Sequence, residues 1–220
     1  LLKAGAVGGL VAATPSFFIK NAWAEEFRNN PENSGELKLG FNVPQSGPYA
    51  DEGADELRAY MLAVKHLNGE GDGGMLNTFK PSMLTGKGVL GKKVTYSTGD
   101  TQTKSDAARA SAKRMIEKDG VLMVTGGSSS GVAVAVQSLC QEQGIIFMAG
   151  LTHSNDTTGK DKRRYGFRHF FNAYMSGAAL APVLNKEYGG DRRAYHLTAD
   201  YTWGWTQEES IKNSTEALGW

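Results

Sequence analysis

The chain has 220 residues, and its 24 lysines and arginines almost balance 23 aspartates and glutamates, which leaves a net charge of +1. This balance provides no basic field that would hold nucleic acid or an anionic membrane surface, so we expect neither as a partner. The composition, 40% hydrophobic and 21% charged, is that of a globular protein. One cysteine, Cys140, and four scattered histidines show no metal-site spacing, so no metal or cofactor is expected.

The first 24 residues have the pattern of an export signal. An uncharged Gly/Ala-rich run at 4–19 is too short for a membrane span, and an Ala-Trp-Ala sequence at 22–24 has the small residues of a cleavage site. We interpret 1–24 as a signal peptide that lacks its own beginning and 25–36 as a linker. The opening Leu-Leu-Lys at 1–3 is similar to the tail of a twin-arginine motif, which indicates that export route to the periplasm.

From residue 35 onward, strand and helix patterns alternate. Short apolar runs are typical of buried parallel strands, and the segments between them repeat apolar residues at helical spacing. Strands are predicted at 37–43, 94–98, 121–125, 145–148, 166–171 and 194–198, and helices at 54–67, 106–119, 129–143, 175–188 and 208–218. This order predicts an α/β fold with a right-handed parallel sheet. A glycine-rich segment at 69–92 interrupts the order and is predicted to be an ordered surface excursion or lid.

The same order of elements predicts two lobes. The first α/β lobe extends over 37–172, and 173–220 is the start of a second lobe. Only one further strand and helix pattern follows the loop at residue 172, which is too little for a complete domain. We therefore expect the chain to be part of a longer protein.

Ligands of open α/β sheets bind at the carboxyl ends of the strands, where loops and helix N-termini meet. Four segments follow predicted strands and are expected to face one crevice: 44–53, 126–131, 149–154 and 199–205. The second, Gly-Gly-Ser-Ser-Ser-Gly, is the most informative. Its glycines allow a ligand close to the backbone, and its serines offer hydroxyl and free N–H groups at a helix start. The alternative is that one serine only caps the helix.

This segment also contains a possible nucleophile. Gly127, Ser129 and Gly131 follow the G-x-S-x-G order of a hydrolase nucleophile elbow, so a secreted serine hydrolase that uses Ser129 is an alternative function. Its acid and histidine would have to follow in the sequence, and the last histidine, His196, has little of the fold after it. The sequence has no HGGG-type oxyanion motif upstream. These features favour a protein that binds a ligand over an enzyme.

Five short motifs occur in a specific order: Ser-Gly-Pro-Tyr-Ala at 46–50, Gly-Ser-Ser-Ser at 127–130, the segment 144–154, Phe-Arg-His-Phe-Phe at 167–171 and Tyr-Thr-Trp-Gly at 201–204. Together they resemble the branched-chain amino-acid-binding proteins of ABC importers, the type I periplasmic solute-binding proteins. The resemblance runs from about residue 37 to the last residue. It implies two doubly wound lobes that close on a small solute, and a monomer, without enzymatic activity, that presents the solute to an inner-membrane permease.

The strand-end segments and the resemblance together predict a ligand site formed by Glu52, Ser128, Ser129, Leu151, Thr152, His153, Tyr201 and Trp203. By resemblance, Ser128 would hold a ligand carboxylate. Glu52 stands where the family often has an aromatic residue, and Trp203 where it often has a tyrosine. These departures leave the ligand open between a branched-chain amino acid and a related small polar solute such as urea or a short amide. An extracellular ligand-sensing domain of the same fold is a further alternative.

Overall fold

The structure, a computed structural model, describes residues 28–29, 34–70 and 86–220. The strands are β1 (Glu36–Val43), β2 (Lys93–Asp100), β3 (Met123–Gly126), β4 (Ile146–Ala149) and β5 (Gly166–Arg168). The helices are α1 (Ala50–Leu67), α2 (Ser105–Arg114), α3 (Ser130–Glu142), α4 (Ala173–Tyr188) and α5 (Thr202–Glu216), with a π-helical turn at Met115–Asp119 and a 3-10 turn at Asn155–Thr158. The predicted signal peptide and most of both the linker and the glycine-rich segment lie outside the described residues.

The five strands form one parallel sheet in the order β2-β1-β3-β4-β5. β1 lies inside the sheet, where Leu39 pairs with Tyr96 of β2 on one side and Met123 of β3 on the other. The strand order changes direction between β1 and β3, because β2 is added on one side of β1 and β3, β4 and β5 follow on the other. Open α/β sheets form their ligand crevices at such a point. The predicted parallel α/β sheet is confirmed.

Helices cover both faces of this sheet. The larger apolar cluster lies on the face of α2 and α3 and includes Met115 and Phe147, both fully buried. A smaller cluster joins Phe41 of β1 to Val64 of α1. Adjacent residues of β1 face opposite sides of the sheet. A Cβ at Gly40 would lie 3.4 Å from the Met115 sulfur, on the side of α2 and α3, whereas the neighbouring Phe41 packs on the α1 side. The sheet is therefore buried on both sides, as parallel sheets are.

The last two helices pack on each other. A Cβ at Gly177 of α4 would lie 2.6 Å from the Ser210 carbonyl oxygen of α5, so the two backbones approach closely there. Polar contacts connect this pair to the 3-10 turn. Asn155 Nδ2 donates to Ser210 Oγ at 3.0 Å, and Thr202 Oγ1 donates to Asp156 Oδ2 at 2.8 Å. None of the described helices has the length and apolar character needed to cross a membrane.

The predicted strand at 194–198 is wrong, because residues 189–201 form neither helix nor strand. The alternation of Tyr195 and Leu197 suggested a half-buried strand, yet these side chains are 93% and 96% exposed. A strand needs a neighbour to take its backbone hydrogen bonds, and no described strand lies beside this segment. β5 is also shorter than predicted and ends at Arg168.

Two helices begin four or more residues earlier than predicted, and a glycine at a close approach explains each of these differences. α1 starts at Ala50 instead of residue 54, and a Cβ at Gly53 would lie 1.8 Å from the Pro44 carbonyl oxygen. α5 starts at Thr202 instead of residue 208, and a Cβ at Gly204 would lie 1.9 Å from the Ala199 carbonyl oxygen. Glycine is unfavourable in a helix on average, so its presence in each first turn obscured the helix start.

Candidate functional site

A cavity of about 490 Å³ lies beyond the carboxyl ends of β1, β3 and β4. Its wall consists of Tyr49, Glu52, Ser128, Ser130, Leu151, His153, Phe170, Phe171, Tyr201 and Trp203. Six of the eight residues predicted from the sequence therefore line one cavity. The other two, Ser129 and Thr152, lie outside the wall. Tyr49, Ser130, Phe170 and Phe171 are wall residues that the sequence reasoning did not assign to the site.

The turn between β3 and α3 has an unusual backbone that brings Ser128 to the cavity. Gly126, Gly127 and Ser128 all have positive φ angles, of 119°, 99° and 37°. The turn lies against β1, where Gly127 N donates to the Asn42 carbonyl oxygen at 3.1 Å. A Cβ at Gly126 would be 2.4 Å from that oxygen, so glycine is required there. Ser128 adopts a backbone conformation that is rare for residues other than glycine.

Ser128 is hydrogen-bonded to a buried carboxylate of α1. Its Oγ donates to Glu56 Oε2 at 2.6 Å, and Tyr60 OH donates to Glu56 Oε1 at 2.5 Å. A Cβ at Gly150 would lie 2.1 Å from Glu56 Oε1, so the loop after β4 closes over this carboxylate. Burial, and then the negative charge of Glu56, raises the pKa of Tyr60, which keeps its hydroxyl protonated. The Ser128 proton thus points at Glu56, whereas the family resemblance implied that it would point at a ligand carboxylate.

Ser130 has the opposite hydrogen-bonding arrangement. Its buried Oγ accepts from Thr152 Oγ1 at 2.9 Å and from Ser154 N at 3.1 Å. A hydroxyl has two acceptor lone pairs and one proton, so these two bonds leave only the proton for a ligand. Thr152, itself fully buried, therefore supports the site from behind Ser130 and lies outside the wall.

Arg168 at the end of β5 fixes the loop that carries His153. Its guanidinium donates to the carbonyl oxygens of Thr152 at 2.6 Å and Ser154 at 2.5 Å. The His153 ring stacks on Phe171, with 4.4 Å between the centroids and 11° between the planes. Burial, and then the Arg168 charge, lowers the pKa of His153, so the imidazole is neutral at pH 7. His153 Nε2 is buried and has no hydrogen-bond partner within the described part of the chain.

The opposite wall comes from the first turns of α1 and α5. The hydroxyl oxygens of Tyr49 and Tyr201 lie 3.1 Å apart, and the rings of Tyr201 and Trp203 are 6.0 Å apart. Burial, and then the hydrogen bond with Tyr49, raises the pKa of Tyr201. Since His153 is neutral, Glu52 is the one wall residue with a formal charge. The cavity therefore offers aromatic surface, a set of oriented hydroxyls and one carboxylate.

Residues 36–220 match the family model described as periplasmic binding protein. The chain belongs to the periplasmic binding protein family. This confirms the family expected from the five sequence motifs, and the type I fold expected with it. The cavity lies in the crevice between strands where this binding protein was expected to hold its ligand.

Curated relatives of this binding protein have names that refer to amino acids. The "Leu/Ile/Val-binding protein homolog 7" of Brucella abortus is 30% identical over 114 residues, which cover 52% of this chain and 24% of the relative. The "Leu/Ile/Val-binding protein homolog 1" of the same species is 24% identical over 185 residues, 76% of this chain and 42% of the relative. The chain thus spans less than half the length of these curated relatives.

Solved structures show the same fold. A solute-binding protein of an ABC transporter from Rhodopseudomonas palustris, in complex with 3,4-dihydroxybenzoic acid, has a TM-score of 0.67 and 20% identity. The comparison covers 84% of this chain and 45% of that one. A leucine-binding protein from Thermotoga maritima has a TM-score of 0.61 and 21% identity, covering 83% of this chain and 46% of that one.

The surroundings of Ser129 in this binding protein do not favour the hydrolase alternative. Ser129 is the N-cap residue of α3, its side chain makes no capping hydrogen bond, and it does not line the cavity. Among the described residues, no hydrogen bond joins it to a histidine, and His153 is stacked on Phe171 instead. A nucleophilic serine needs a base within hydrogen-bond reach. The Leu-Leu-Lys sequence at 1–3 lies outside the described residues, and no relative supports the twin-arginine route.

Proposed function

We propose that this protein is the periplasmic substrate-binding component of an ABC importer. Its ligand is a branched-chain amino acid or a related small polar solute. The observation that carries the proposal is the cavity at the strand-order reversal, lined by aromatic rings on one side and by the start of α3 on the other, in a chain of the periplasmic binding protein family. Membership of this family supports a periplasmic location and a partnership with an inner-membrane permease.

The two sides of the cavity fit the two ends of such a solute. Phe170, Phe171 and Trp203 offer apolar surface for a side chain or planar body. The start of α3 offers the Ser130 proton and unpaired N–H groups for an oxygen of the head group. Ligand sites of this size are mostly apolar, with a few polar groups that fix the orientation. A solute with an apolar body and a compact polar head satisfies both sides.

The position of Trp203 supports binding by closure. Trp203 lies in the first turn of α5, within the segment 173–220 that we predict to begin the second lobe, whereas Ser128 lies in the first. Movement of the second lobe would change the distance between these residues and expel water from the cavity. The protein acts as a monomer in this proposal.

Calorimetry on the full-length protein tests the proposal. The panel contains leucine, isoleucine, valine, urea, acetamide and 3,4-dihydroxybenzoic acid. We expect micromolar or tighter binding of at least one solute, and a loss of about tenfold or more in Trp203→Ala, because an aromatic wall contact is removed. Failure of the whole panel would contradict the proposal.

A deletion strain then separates import from ligand sensing. Loss of uptake of the radiolabelled ligand is expected for an importer component, and complementation with the wild-type gene should restore it. Normal uptake in the deletion strain, together with a lost transcriptional response to the ligand, would identify a sensing domain instead.

A further inference from the structure

The hydrogen-bond directions at the start of α3 carry information about the ligand head group. Both oxygens of the buried Glu56 carboxylate accept a hydrogen bond, one from Ser128 and one from Tyr60. In both bonds the carboxylate oxygen is the acceptor, and the hydroxyl supplies the proton. The one proton of the Ser128 hydroxyl is therefore engaged by Glu56, and the hydroxyl can present only the lone pairs of its Oγ to the cavity. Toward a ligand, Ser128 is a hydrogen-bond acceptor.

Ser130, two residues later, is fixed in the opposite sense. Both its lone pairs are occupied by Thr152 and Ser154, so it can only donate. Ser128 and Ser130 both belong to the cavity wall. The wall thus presents one acceptor and one donor, and the complementary head group has one donor and one acceptor.

The charges around the cavity point in the same direction. Glu52 lines the wall, and Glu56 lies one helical turn further along α1, directly behind Ser128. No lysine or arginine belongs to the wall, and the neutral His153 adds no positive charge. A ligand with a single negative charge would face the Glu52 carboxylate at the wall and the Glu56 carboxylate behind Ser128, whereas Arg168, the cation behind the His153 loop, directs its guanidinium at the carbonyl oxygens of Thr152 and Ser154.

We propose that Glu56 is a specificity-determining residue that selects the head group of the solute. Because Glu56 makes Ser128 an acceptor, the site takes a carboxamide or an amino acid in preference to a simple carboxylate. The N–H of the amide or ammonium group donates to Ser128, and the neighbouring oxygen accepts from Ser130. A simple carboxylate has two acceptors and would direct its second oxygen at the Ser128 lone pairs. This inference rests on the proposed function, since it assumes a small solute in the cavity.

Pairs of solutes that differ only in the head group test the inference. Benzamide is compared with benzoate, and 4-methylpentanamide with 4-methylpentanoate, by calorimetry on the full-length wild-type protein, with leucine as the amino acid. We expect the amide to bind about tenfold or more tightly than the acid in at least one pair, or leucine to bind when 4-methylpentanoate does not.

Glu56→Gln tests the role of the residue itself. The change keeps the shape and removes the charge, and when the new amide nitrogen faces Ser128 it frees the Ser128 proton for an acid. We expect the ratio of the acid's dissociation constant to that of the matching amide or of leucine to fall by about tenfold to a hundredfold. Asp55→Asn is the matched control, because it removes the same charge from the exposed neighbour that pairs with Arg58 and should keep the preference.

The possible results separate the two proposals. Acids that bind more tightly than amides and leucine to the wild-type protein would overturn the inference and leave the proposed function standing. An unchanged preference in folded Glu56→Gln, or an equal loss in Asp55→Asn, would overturn the role of Glu56. If Glu56→Gln does not fold, Ser128→Ala replaces it, and a preference that survives removal of the acceptor contradicts the inference. Absence of binding by every solute would overturn both proposals.

Discussion

Replacement of Ser130 by alanine should weaken both the fold and the site. The Ser130 hydroxyl is buried and accepts hydrogen bonds from Thr152 Oγ1 and Ser154 N. Thr152 and Ser154 are themselves fully buried, so water does not replace the lost acceptor. Alanine would leave two donors without a partner at the point where the β4 loop meets α3.

The magnitude follows from these two donors. A buried donor that loses its partner costs about 1 to 3 kcal/mol. The Thr152 hydroxyl can rotate, whereas the Ser154 N–H is fixed by the backbone, so we expect a loss of about 2 to 4 kcal/mol in the free energy of unfolding. Removal of the single proton that Ser130 offers to a ligand should also weaken binding by about tenfold.

Urea denaturation of the full-length protein, followed by circular dichroism, measures the first effect, and calorimetry measures the second. Ser129→Ala is the matched control. It removes the same hydroxyl one residue earlier, where the side chain makes no capping hydrogen bond, and should change the free energy of unfolding by less than about 0.5 kcal/mol. Equal effects of the two substitutions would show that the hydrogen bonds to Ser130 do not stabilise the fold.

Three further predictions concern Trp203, His153 and Ser129. Ligand should change the tryptophan fluorescence of the full-length protein, and Trp203→Phe should abolish the change; a signal that persists would place the responding tryptophan elsewhere. Because the pKa of His153 is lowered on folding, the neutral ring contributes stability that is complete above pH 6.5, its ordinary value, and is lost as the pH falls below it. His153→Phe, which keeps the stack on Phe171, should therefore lose less stability between pH 7 and pH 5 in urea titrations, and identical profiles would exclude this role. A fluorophosphonate probe should leave Ser129 unlabelled; labelling together with ester turnover that Ser129→Ala abolishes would restore the hydrolase alternative.

Strand and helix patterns predicted the sheet well where each element buries a continuous apolar set. Val124 of β3 lies in the apolar run at 121–125, and a run of this kind indicates a buried parallel strand from the sequence alone. The pattern failed at Tyr195 and Leu197, whose alternation is that of a strand. A strand is defined by its neighbours as well as by its own residues, and no local pattern states whether a neighbouring strand is present.

The site could be predicted as far as it depends on strand ends. Ser128 and Leu151 follow strands that the structure contains, and that rule placed them in one crevice. Trp203 was placed there by the strand predicted at 194–198, which the structure lacks, and it lines the cavity from the first turn of α5 instead. Phe171 was assigned to the strand predicted at 166–171, and its local pattern gave no indication that its ring would stack on His153. The role of Glu56 could not be predicted, because its hydrogen bond to Ser128 joins residues far apart in sequence and its residue type alone does not distinguish it from an exposed helix acid. A glutamate buried on the apolar side of a helix is the signal that could have drawn attention to it.

The position of β1 inside the sheet sets an order of events for folding. Leu39 and its neighbours are made first, but they lie between two strands that the ribosome produces much later, β2 on one side and β3 on the other. Until Gly126 has been made, one edge of β1 has no partner, and pairing between distant segments is slow because a long loop must close first. An early unpaired edge of this kind can pair with other chains. A chain in which β3 has not yet paired with β1 therefore exposes an edge that the folded sheet buries.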